Sequence, residues 1–135
     1  MVQPHSGSGE DVGTIKSFKD IECWQGAREL VRRVYLLTRK EHFKKDFELV
    51  SQIRRSAVSS MANVAEGFHR SSKKDFLKYL DYARSSVAET VSHGYVALDQ
   101  GYLSEKEMAE LESQADAVWR KMNAFIAYLD RDLKK

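Results

Sequence analysis

The chain has 135 residues, 42% apolar and 31% charged, with a net charge of +2. A chain of this length forms one domain and buries a core without staples. A lone cysteine, Cys23, rules out an intrachain disulfide, and no apolar run approaches the ~18 residues that span a bilayer; with no charged-then-apolar leader pattern, these features predict a soluble cytoplasmic protein.

The single proline and three of the seven glycines (Gly7, Gly9 and Gly13) fall in the first thirteen residues. Residues 1–16 show no periodicity and are expected to form a flexible, disordered tail. From there on, backbone breakers are scarce, which favours long helices.

Ile21, Trp24, Ala27, Val31, Val34 and Leu37 recur at steps of three or four and predict a helix over about 20–40. Either Ser17 or Asp20 supplies its cap. A short basic link, His42 to Lys45, leads to Asp46 as the cap of a second helix over 46–66, with Val50, Ile53, Ala57, Met61, Val64 and Phe68 as its stripe. Gly67 sits where a left-handed residue ends a helix. Ser72 and Asp75 form a capping-box variant that opens a third helix over 73–100, with Phe76, Leu80, Ala83, Val87, Val91 and Leu98 inward and Gly101 at its end. Ser104 and Glu107 form a full box for a fourth over 105–133, with Met108, Leu111, Ala115, Val118, Met122, Phe125 and Leu129 as its stripe. Four amphipathic helices with short links predict an all-α, antiparallel up-and-down four-helix bundle over 17–135, its last two helices the longer pair.

Charge is unevenly spread: residues 1–27 are net −2, residues 28–84 net +7 and residues 85–135 net −3. The cationic middle points to an anion-binding face. Its candidates are Arg54 and Arg55 on the second helix, and Arg70, Lys73, Lys74 and Lys78 around the start of the third, where free N–H groups and cations suit phosphate. Arg28, Arg32 and Arg33 form a second cluster. Tyr79 and Tyr82 suit base stacking, or else core and interface packing. Within a small-residue helix (Ser56, Ala57, Ser59, Ser60, Ala62, Ala65), Asn63 and Glu66 lie one turn apart; with Arg55 they read first as a structural polar network and second as a ligand site.

Glu66 and His69 match one Glu-x-x-His pair, and Glu89 and His93 lie four apart, but a di-iron bundle needs two such pairs and two more glutamates. No nucleophile–base order or phosphate loop is present. We therefore expect no metal, no cofactor and no catalytic site.

Three segments carry a resemblance: Phe18 to Gln25 (FKDIECWQ), Gln52 to Ser59 (QIRRSAVS) and Asn63 to Phe68 (NVAEGF), supported by Ser72 to Phe76 and Gly101 to Leu103. Together they resemble the four helix bundle protein family, also called 23S ribosomal RNA intervening-sequence proteins, over about residues 18–130. The family often has a proline in the first inter-helix loop, where this chain reads Glu41-His42-Phe43-Lys44, and a glycine-serine pair where it reads Arg84-Ser85-Ser86. The resemblance implies a left-handed bundle, a ring-like homopentamer, and kinship in fold with the accessory protein of diversity-generating retroelements, which binds nucleic acid and a reverse transcriptase. It thus implies a non-catalytic protein whose partners are its own copies, RNA or DNA, and a reverse transcriptase. The competing expectation is a protein–protein scaffold whose charges only keep it in solution.

Overall fold

The computed structural model describes residues 15–133 and contains four α-helices: α1 (Glu22–Thr38), α2 (Phe47–Phe68), α3 (Lys73–Asp99) and α4 (Glu105–Leu133). Among the described residues there is no strand, and no helix is long and apolar enough to cross a membrane. Each helix packs mainly on the two that flank it in a ring, α1 on α2, α2 on α3, α3 on α4 and α4 on α1. This is the expected up-and-down bundle, and the later pair is the longer, with 27 and 29 residues against 17 and 22.

The connections show the alternation directly. Phe43, fully buried in a 3₁₀ turn (Phe43–Lys45) between α1 and α2, stacks on Tyr102 of the α3–α4 turn with ring centroids 5.2 Å apart. The Tyr102 hydroxyl donates to Asp46 Oδ2 at 2.9 Å, while Asp46 Oδ1 accepts the Leu49 N–H at 3.1 Å and so caps α2. These two links therefore share one end of the bundle. At the other end Phe18 packs edge-on to Trp24 and to His69, beside the α2–α3 turn.

Several expectations are refined. Neither Ser17 nor Asp20 caps α1: together they form the capping box of a 3₁₀ turn (Phe18–Asp20), and Ile21, without a side-chain cap, precedes α1. Ile15 is buried in the core, so the ordered chain starts ahead of the expected boundary at 17; residues 1–14 of the expected tail lie outside the described residues. Leu30 and Leu49 are buried where the stripes named Val31 and Val50, which are only half-buried.

The two glycines near helix ends, Gly67 and Gly101, have different roles. Gly101, at φ +79°, ends α3 in a Schellman motif, with its N–H on the Leu98 carbonyl and the Tyr102 N–H on the Ala97 carbonyl. Gly67 does not end α2. It is helical and buried, and a Cβ built on it lies 2.8 Å from Phe76 Cδ1 and 2.9 Å from Tyr79 Cβ. Its use is close approach of α3.

Between α2 and α3 the buried polar groups are small hydroxyls. Ser56 Oγ and Thr90 Oγ1 are 2.9 Å apart, and the Ser86 hydroxyl donates to Ser59 Oγ at 3.0 Å. Among the described residues no buried side-chain polar atom lacks a partner.

Two outcomes follow. Gly67→Ala gains about 1 kcal/mol of helix propensity but overpacks a contact whose Tyr79 Cβ is tied to backbone, so urea unfolding should show a net loss of about 1–2 kcal/mol. Glu107 completes the α4 capping box with Ser104 and lies 2.5 Å from Lys40 Nζ; the Lys40 bond first, then the Ser104 N–H, hold its carboxyl below the ordinary value of 4.5. A depressed folded value contributes stability above the unfolded one and loses it as pH falls through the folded one. Glu107→Gln should therefore cost about 0.3–1 kcal/mol near neutral pH, and wild type and variant should converge as pH is lowered from about 4.5.

Candidate nucleic-acid interface

The six candidate cations do not form one face. At 100° per residue, adjacent Arg54 and Arg55 leave α2 on different sides. Arg54 is half-buried against α1, its Nε donating to Thr38 Oγ1 at 2.9 Å and its guanidinium 4.2 Å from the Tyr35 ring centroid. Thr38 in turn donates to the Val34 carbonyl at 2.8 Å. Arg54 is thus a helix-packing residue. Arg55 is exposed on the α3 side, beside a groove of about 310 Å³ lined also by Gln52, Ser56, Ser59, Glu89 and His93.

Arg70, Lys73, Lys74 and Lys78 gather at the α2–α3 turn, about 20 Å along the bundle from Arg55. Ser72 caps α3 by accepting the Asp75 N–H at 3.1 Å. Arg70 lies 3.1 Å from Glu66 Oε2, donates to the Tyr79 hydroxyl, and sits 4.6 Å from the Tyr79 ring centroid. Lys78 Nζ is 5.6 Å from the same centroid, and Tyr82 meets Tyr79 edge to face at 5.5 Å. Tyr79 itself rests on Gly67, so the close α2–α3 packing sets its position.

Arg55, Asn63 and Glu66 do not form the expected network. The Asn63 amide donates to the Ser59 carbonyl at 2.9 Å and to Ser59 Oγ at 3.0 Å, whereas Glu66 turns outward to Arg70. Arg55 and Asn63 are about 12 Å apart along the axis, beyond mutual reach. The register-fixing polar groups are instead Ser56, Ser59, Ser86 and Thr90, hidden in the sequence because serine and threonine are common on exposed helix faces.

On α1 the expected cluster also divides. Arg33 turns to α4, 3.7 Å from Glu110 and bonded to Gln114. Arg28 and Arg32 face outward, the latter paired with Glu29 at 2.6 Å, and Arg39 continues that exposed side at the helix end. Arg39 was missed, although its eleven-residue spacing from Arg28 marks the same face. Of the potential metal ligands, Glu89 and His93 meet as a pair at 3.7 Å, whereas His69 lies edge-on to Phe68 and Phe18 and Glu66 pairs with Arg70. Among the described residues no cluster of three or more His, Cys, Asp or Glu is assembled that could hold a metal ion.

Fold and surface together define a charged up-and-down four-helix bundle with cations and tyrosines gathered at the α2–α3 turn. The profile of the 23S rRNA-intervening sequence protein family matches residues 19–124, and the chain belongs to that family. A solved structure of a protein with unknown function from the S23 ribosomal protein family of Bacteroides thetaiotaomicron VPI-5482 shares the fold, with a TM-score of 0.72 at 24% identity over 81% of this chain and 98% of that one. No curated protein matches the sequence.

The division of the arginines is open to measurement. Arg54→Ala should destabilise the bundle by about 1–2 kcal/mol in chemical denaturation, through the lost Thr38 bond and Tyr35 stacking. Arg55→Ala, on an exposed site, should stay within about 0.5 kcal/mol of wild type.

Proposed function

We propose that this protein is a non-catalytic, homo-oligomeric nucleic-acid-binding accessory protein of the cytoplasm. In this reading it assembles as a homopentamer and contacts RNA or an RNA–DNA hybrid, alone or together with a reverse transcriptase. The observation that carries the reading is the gathering of Arg70, Lys73, Lys74 and Lys78 at the α2–α3 turn, with Arg70 and Lys78 against the Tyr79 ring, where cations and aromatic rings suit a phosphate backbone and its bases. Membership of a family named for intervening sequences of 23S rRNA favours RNA as the ligand. Arg55 offers a separate contact beside the α2–α3 groove, about 20 Å along the bundle, and Arg54 contributes by holding α1 against α2.

A second reading, a protein–protein scaffold, is favoured by two outward apolar side chains, Phe47 at 81% exposure and Leu36 at 65%. Such side chains suit a protein partner or a neighbouring copy.

Filter binding of nuclease-treated protein across a salt series separates the readings. Nucleic-acid binding predicts that log affinity falls linearly with log salt. The triple variant Arg70→Ala, Lys73→Ala, Lys74→Ala should shallow that slope by about 2, on the basis of about 0.7–0.9 per lost phosphate contact. An unchanged slope removes this surface from the interface, and no binding near physiological salt leaves the scaffold reading. Light scattering on the same sample tests the pentamer.

A further inference from the structure

We propose that the α2–α3 turn takes an unpaired nucleic-acid strand, with a base stacked on Tyr82 and the adjoining phosphates held by Arg70, Lys74 and Lys78. The proposal rests on the nucleic-acid reading above and narrows its ligand at this turn from RNA or an RNA–DNA hybrid to a strand that is unpaired where it meets the protein.

Charge alone is a poor basis for binding here. Glu66 pairs with Arg70 at 3.1 Å, Asp81 pairs with Arg84 at 2.6 Å, and Asp75 lies in the first turn of α3. The cations are thus interleaved with carboxylates, and a duplex, gripped mainly through its phosphates, finds no continuous cationic surface. A ligand that binds well at this turn needs a contribution that carboxylates do not cancel, and stacking on an aromatic ring is one.

Tyr82 is the ring placed to supply it. It is 47% exposed, and its orientation is fixed from one side by the edge-to-face contact with Tyr79, whose interplanar angle is 83°. Tyr79 is already engaged: Arg70 sits on its ring and bonds its hydroxyl, and Lys78 lies nearby. Tyr79 therefore acts as a post that carries two cations on the ring against which Tyr82 stands. Lys74, Lys78 and Tyr82 follow one another at steps of four, along a single exposed line about 12 Å long on α3. Bases in a duplex stack on one another and present only their edges, whereas an unpaired base has a face free to cover a protruding ring.

Fluorescence anisotropy with labelled oligo(U), oligo(dT) and a duplex of equal length, at one salt concentration, tests this. Both single strands should bind about tenfold or more tightly than the duplex. Tyr82→Ala should weaken single-strand binding by about tenfold or more while leaving duplex binding unchanged, and Tyr82→Phe, which keeps the ring, should bind as wild type does. Equal affinity for strand and duplex, or single-strand binding that Tyr82→Ala does not alter, overturns the proposal while the nucleic-acid reading stands. Failure of wild type to bind any of the three probes overturns both.

Discussion

α2 and α3 approach closely because the positions between them are small. Gly67 leaves no room for even a methyl group beneath Phe76 and Tyr79, and Ser56, Ser59, Ser86 and Thr90 place compact hydroxyls where larger chains would hold the helices apart. Each hydroxyl has its bond, so burial carries no desolvation penalty for an unmatched polar atom. Hydrophobic stripes alone allow a helix to slide or roll by part of a turn. Paired hydroxyls at fixed heights do not, and they set the register of the bundle.

The surface inherits that register. Tyr79 stands on Gly67, Arg70 leans on Tyr79, and Tyr82 stands edge-on to it, so the cluster at the turn follows from packing in the interior. Elsewhere cations are drawn into the fold. Arg54 ties α1 to α2 through Thr38 and Tyr35, while Arg33 and Lys40 tie α1 to α4 through Gln114, Glu110 and Glu107. A net charge of +7 over residues 28–84 therefore overstates how much positive charge is available to a partner. Arg70, Lys74 and Lys78 remain at the surface because their neighbours are the end of one helix and the start of the next, where no third helix covers them.

The two ends of the bundle are closed in different ways. At one, Phe43 stacks on Tyr102 and Asp46 both caps α2 and receives the Tyr102 hydroxyl, so the two connections there are locked together. At the other, Phe18, Trp24 and His69 pack beside the α2–α3 turn, leaving Arg70 and the first turn of α3 facing outward. The first end thus joins two connections to one another, and the second presents the charged and aromatic side chains.

Helix number, order, approximate bounds and fold class were legible in the sequence because they depend on local chemistry: the period of apolar residues, and caps such as Asp46, Ser72 and Ser104 that bond within three residues. The family was legible as well, through short motifs preserved in order. Residue roles at the surface were less so. Gly67 and Gly101 look alike in sequence, yet one admits a neighbouring helix and the other turns the chain, a difference set by what packs opposite. Arg54 and Arg55 are adjacent and chemically identical, and only the position of α1 makes the first a packing residue and leaves the second exposed. The sequence by itself determined which segments are helical and most of the stripe each one buries, with Leu30 and Leu49 buried in place of Val31 and Val50. Tertiary structure decided which charges are spent inside the fold and which stay free, because that depends on side chains meeting across helices distant in the chain.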